Sequence, residues 1–111
     1  MSDLREAVFN RSGGYCERCA IPLAETWALH HRKLRSRGGK DEITNLVALH
    51  HHCHNLGKDS VHLNPDAATR GGFMVASWDD PASVPVTLGD GRLVLLTPEG
   101  GYRIMEDGNG W

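Results

Sequence analysis

Leu29-His30-His31-Arg32-Lys33-Leu34-Arg35-Ser36-Arg37-Gly38-Gly39-Lys40-Asp41-Glu42-Ile43-Thr44-Asn45-Leu46-Val47-Ala48-Leu49-His50-His51-His52-Cys53-His54 is the stretch on which the fold turns. It holds six of the seven histidines in the chain, and the seventh, His62, follows eight residues later. Thr26 to His31 is rich in strand formers and short, which predicts a strand running into the histidine pair. The apolar run Leu46-Val47-Ala48-Leu49 predicts a second short strand. Between them Arg35 to Asp41, with Gly38-Gly39, is a basic loop. A helix is expected to begin near His52 and to stop at Gly57.

Working outward, Cys16-x-x-Cys19 lies upstream, and thirty residues separate it from His50-x-x-Cys53. Two x-x-spaced pairs on separate turns supply the four soft or borderline ligands that a tetrahedral structural zinc requires. An odd total of three cysteines argues against a disulfide framework and for metal ligation in a reducing compartment. The competing reading, ordinary buried thiols at an accidental spacing, loses ground once the second pair is counted. His50, His51 and His52 are contiguous, so the fourth ligand is open among them; His50 is favoured because it reproduces the x-x spacing to Cys53. His51 and His52 are read as surface or outer residues.

The chain has 111 residues, enough for one domain with a modest core. A structural zinc would help a domain with so few large apolar residues to fold. No window approaches a membrane span, and Met1 to Glu6 lacks the apolar run of a secretory signal. The net charge of −2 does not advertise a polyanion partner. Its distribution does: residues 1–62 carry nine basic and seven acidic side chains (+2), against three and seven (−4) in 63–111. Arg32, Lys33, Arg35, Arg37 and Lys40 fall within nine positions free of acids, a run suited to a phosphate backbone if it borders a reactive site.

At the ends of the chain, Ser2 is expected to cap a first helix carrying Leu4, Ala7 and Val8, ended by Gly13-Gly14. Asn64-Pro65-Asp66 predicts another short helix, with Asn64 as cap and Gly71-Gly72 as stop. Val84 to Leu88, Arg92 to Thr97 and Tyr102 to Met105, joined by Gly-rich turns, predict a small antiparallel meander that packs or binds a partner. Asp107 to Trp111 reads as a mobile tail.

Taken in order, the Cys-x-x-Cys knuckle, the His30-His31 doublet, the basic Gly-Gly loop, Asn45-Leu46-Val47 and Cys53-His54 resemble the HNH endonuclease family, also called His-Me finger or ββα-metal nucleases, in the variant with a zinc knuckle. Residues 4–78 carry the resemblance, and Val61-His62-x-Asn64-Pro65 through Val75 is similar to an extension of small phage and actinobacterial members. His50 departs from the family's usual cysteine, which zinc tolerates.

The resemblance implies a ββα-metal core with a zinc knuckle, and with the N-terminal helix and C-terminal antiparallel β meander read from the residues the expected fold is α+β. Residues 1–78 would form the nuclease domain, and 79–111 a β extension packed on it. It further implies hydrolysis of DNA phosphodiester bonds, by nicking or double-strand cleavage. His31 would be the general base, and His30 and His54 would hold one divalent cation (Mg²⁺, Mn²⁺, Ni²⁺ or Zn²⁺). Asn45 would fix the loop bearing the base, or touch the cation directly. The third ligand usual in the family lies four residues after His54, where this chain has Lys58; Gly57 to Ser60 reads as an insertion that returns His62 to the cation instead. Strand alternation aims His30 and His31 at opposite faces, so both serve one site only if the strand ends or bulges there.

DNA would be held mainly through its phosphates by Arg32, Lys33, Arg35, Arg37, Lys40 and Lys58, in the cytoplasm of a bacterium or a phage-infected host. The rival of a different class is a non-catalytic zinc-dependent DNA-binding or phage packaging module, with a terminase as partner. A transcriptional zinc finger is disfavoured, because no long basic recognition helix is present.

Overall fold

The structure is a computed structural model that describes residues 2–105; the expected mobile tail at 107–111 lies outside the described residues. It is a small α+β unit with two antiparallel sheets. Helix α1 (Ser2–Ser12) already contains Ser2, so Ser2 is not a residue before the helix that caps it. The helix ends where Gly13 and Gly14 take positive φ. Val8 is its buried anchor, and Arg5 lies over the Trp27 ring, 3.9 Å from the centroid, while donating to the Trp27 carbonyl.

Strand β1 (Ala28–His31) pairs antiparallel with β2 (Leu46–Leu49) in the register His31 opposite Leu46 and Ala28 opposite Leu49. All four β2 residues are buried, and alternation divides them. Leu46 and Ala48 join Val8 and Trp27, whereas Val47 and Leu49 join Val61, Ala68 and Phe73 together with Val86, Leu88, Val94 and Leu96. A continuous apolar run is what a strand covered on both faces needs. Its second cover is the C-terminal sheet of β3 (Val86–Thr87), β4 (Leu93–Leu96) and β5 (Tyr102–Ile104), an antiparallel meander in the order β3-β4-β5. The second core cluster therefore draws on residues from both sides of position 78.

Two polar devices tie these layers together, and neither is legible in local sequence pattern. Arg11, in α1, donates two hydrogen bonds to the Glu17 carboxylate and others to the Ile43 and Leu46 carbonyls. Glu17 also accepts from the Ala48 amide and the Tyr102 hydroxyl, so this buried ion pair is fully satisfied and joins α1, the Cys16–Cys19 turn, β2 and β5. Arg32 is the second device. It is 0% exposed and donates to the carbonyls of Gly72, Thr44, Pro81 and Val84. The expectation that Arg32 contacts DNA is thereby corrected, because its guanidinium is spent inside the protein fastening the Pro81–Val84 segment to the end of β1. Burial is the main reason its pKa is lowered to about 10.

After β2 the chain enters a π-helical turn (His52–Leu56) where a regular helix is expected. Gly57 closes it by donating to the His52 carbonyl; a Cβ at Gly57 would lie 2.6 Å from the His52 ring, so only glycine fits without a shift. The amides of Val61 and His62 then bond back to the carbonyls of Cys53 and His54. Asn64 does not cap α2 (Pro65–Arg70) with its side chain as expected. Its amide instead donates to the carbonyls of Lys58 and Ser60, holding the return loop closed.

Candidate metal centres

Two groups of ligand-type side chains converge. In the first, Cys16, Cys19, His50 and Cys53 bring their ligand atoms within 4.8 Å of one another. The turn from Cys16 to Ala20 is closed by hydrogen bonds from the Cys16 amide to the Ile21 carbonyl and from the Ala20 amide to the Cys16 carbonyl. Ala20 adopts a positive φ of 64° to make that turn. Gly89, from the β3–β4 turn, packs so closely on the knuckle that a Cβ there would lie 2.6 Å from the Ala20 nitrogen.

His50 settles the choice among the three contiguous histidines. Its Nε2–H donates to the Pro22 carbonyl at 2.8 Å, which leaves the Nδ1 lone pair facing the Cys19 sulfur at 3.2 Å. Such an outer hydrogen bond fixes the tautomer that a metal needs. His51 and His52 are exposed.

The thiols themselves fit a cation. Burial, with the neighbouring Cys16, pushes Cys53 up to about 12, and burial likewise raises Cys19. Three thiolates crowd one another here, and a divalent ion relieves the crowding as the protons leave. The donor set, three sulfurs and one imidazole, is one that zinc takes. The cluster can hold zinc.

The second group is His30, His54 and His62, again with ligand atoms within 4.8 Å. Its members grade outward from buried His30 through half-buried His54 to exposed His62, so one side opens to solvent. His30 comes from β1 and His54 from the π-helical turn, and His62 is delivered by the Gly57–Ser60 return. The three rings meet edge to face with centroids 4.6–5.2 Å apart.

His54 and His62 bring Nε2 atoms within 3.0 Å of each other. Two imidazole ligands on one tetrahedral ion sit about 3.3 Å apart, so this spacing suits a shared cation. His30 donates Nε2–H to the Phe73 carbonyl at 2.7 Å, leaving Nδ1 as its lone-pair nitrogen. Burial lowers its pKa to about 3, and burial with the neighbouring His62 also lowers that of His54. Both suit neutral ligation.

His31 does not join this group. It is the last residue of β1, and its Nε2 lies 2.7 Å from the Asp41 carboxylate, which Arg35 also engages. Hydrogen bonding to His31, then the Arg35 charge, hold the Asp41 carboxyl below the usual range. Asp41 was missed by the sequence reading, where it marked only the end of a basic loop.

Asn45 is buried, and its carboxamide is spent on backbone. Oδ1 accepts from the Lys33 amide, and Nδ2 donates to the Lys33 and Lys40 carbonyls. That arrangement favours the loop-fixing role over direct contact with a cation. Of the remaining basic residues, Arg35, Arg37, Lys40 and Lys58 are exposed. Lys33 reaches the Asp79 carbonyl, and Arg37 the Val75 carbonyl.

Among the described residues no helix is long and apolar enough to cross a membrane. No curated protein and no solved structure matches the chain. A family model described as HNH endonuclease matches residues 16–60, which include Cys16, Cys19, His30, His31, Asn45, His50, Cys53 and His54, and stop two residues short of His62. That match supports HNH endonuclease family membership for this segment of the chain.

Proposed function

We propose that the chain is a metal-dependent endonuclease that hydrolyses DNA phosphodiester bonds. The observation that carries this reading is the convergence of His30, His54 and His62 next in sequence to an imidazole paired with a carboxylate, His31 with Asp41. In this reading β1, β2 and the π-helical turn form the ββα-metal unit, and zinc in the Cys₃His cluster is structural. A divalent cation held by His30, His54 and His62 would supply charge to offset the negative charge that builds on the phosphate.

The protein's own groups do the rest. The Asp41 carboxylate accepts a hydrogen bond from the Nε2–H of His31, which leaves Nδ1 as the basic nitrogen that takes a proton from the attacking water. Asn45 holds the loop after His31 by its three bonds to backbone. Lys33, Arg35, Arg37, Lys40 and Lys58 are the proposed phosphate contacts; they add affinity and salt dependence without sequence preference.

Supercoiled plasmid incubated with the zinc-loaded protein in Mg²⁺, Mn²⁺ or Ni²⁺ should be nicked or linearised, and a chelator should stop it. His31→Ala should slow cleavage by about 10²–10⁴-fold. Binding without nicking in any of these cations would overturn the enzyme and leave the non-catalytic zinc-dependent DNA-binding module; a terminase partner draws no support from the fold.

A further inference from the structure

One feature outside both clusters carries chemistry. Trp78 is 84% exposed, at the end of the turn in which Asp79 bonds back to Ala76. It lines a cleft of about 420 Å³ together with Lys33 and Lys40. That volume lies within the range of small-ligand pockets. Three carboxylates, Glu42, Asp79 and Asp80, also line it.

Two lysines against three acids do not suit a run of phosphates. They suit one nucleoside, with its flanking phosphates at the lysines and its base against the indole. The lining carboxylates could accept from an exocyclic amino group of that base, as acids do from cytosine N4. A tryptophan face stacks on a base of any sequence, but only on one outside a duplex stack. The cleft also adjoins the proposed reaction site. The Asn45 amide that fixes the loop after His31 bonds to both lysine carbonyls, and Asp41, next to Lys40, holds the His31 ring.

We propose that the Trp78 cleft binds one unpaired nucleotide of the nucleic acid strand, so that single-stranded, bulged or frayed DNA is the preferred substrate class. The proposal rests on the endonuclease reading and narrows it. Its test measures binding by fluorescence anisotropy, using the zinc-loaded full chain without added divalent cation. The probes are a labelled 12-nucleotide single strand and the duplex of the same sequence. Trp78→Leu should weaken single-strand binding by about tenfold or more, leave duplex binding within about twofold, and be largely rescued in Trp78→Phe.

Unchanged single-strand affinity in Trp78→Leu, or an equal loss for both probes, would overturn the proposal. Plasmid nicking by a protein whose Trp78→Leu variant binds single strands normally would sink the cleft and spare the nuclease. A Trp78-dependent single-strand preference in a protein that nicks nothing would do the reverse.

Discussion

The two clusters differ in their donor atoms and in how open they are. The Cys₃His knuckle is enclosed by the Cys16–Ala20 turn, the end of β2 and the β3–β4 turn, and its sulfurs crowd one another. The His₃ cluster has three imidazoles, nothing softer, and one exposed member. A closed soft site fixes a fold, while an open nitrogen site leaves room for a second reactant. The tautomers of His50 and His30 are set in the same way, by donation to a backbone carbonyl. What separates the sites is enclosure and donor hardness. That contrast can be broken in order of severity.

The largest effect is expected from Cys53→Ser. Structural zinc supplies about 10–16 kcal/mol in zinc-finger peptides at neutral pH, as large as the whole stability of a small domain. The variant should lose stoichiometric zinc and cooperative thermal unfolding together, as read by metal analysis and calorimetry. A cooperative transition near that of the wild type would remove the knuckle's structural role.

His54→Ala should act on the other side of the contrast. Cleavage should fall by at least 10²-fold, comparable to loss of a general base, while zinc content stays at one per chain. Loss of zinc in this variant would show that the two clusters are not independent.

Arg32 and Lys33 sharpen the same division one position apart. Arg32→Met leaves four buried carbonyls without their donor and should cost on the order of 3 kcal/mol or more in denaturant unfolding. Lys33→Ala should change stability by about 0.5 kcal/mol or less and lower the salt slope of DNA binding by about one.

Asp41→Asn is expected to give the smallest effect, a fewfold loss of kcat with KM and folding unchanged. The carboxylate orients His31 from an exposed position. A wild-type rate in Asp41→Asn would show that the His31–Asp41 pair has no part in the chemistry.

The sequence made some of this plain and hid the rest for physical reasons. Cys16, Cys19 and Cys53 are visible because metal ligands need fixed residue types at fixed spacing. The strands around His30 and Leu46 are visible because alternation and apolar runs are local. His50 over His51 is decided by the Pro22 carbonyl, which no spacing rule includes. Arg32 reads as one more cation in a basic run because burial is a property of the packed segment Pro81–Val84, far along the chain. Asp41 and Trp78 are single residues without a repeating pattern, and only the loop geometry gives them neighbours. The π-helical turn, too, depends on Gly57 meeting His52 and on the return loop that Asn64 closes.

The central claim is that the chain keeps two separate metal sites, one closed and one open. Titration of Mn²⁺ or Ni²⁺ into zinc-loaded protein, followed by calorimetry with zinc content measured in parallel, tests it most directly. The expected result is one added ion per chain, bound by the wild type and lost in His54→Ala, with the zinc retained in both. An added ion that binds His54→Ala as tightly as the wild type, or that enters only as zinc leaves, would contradict it.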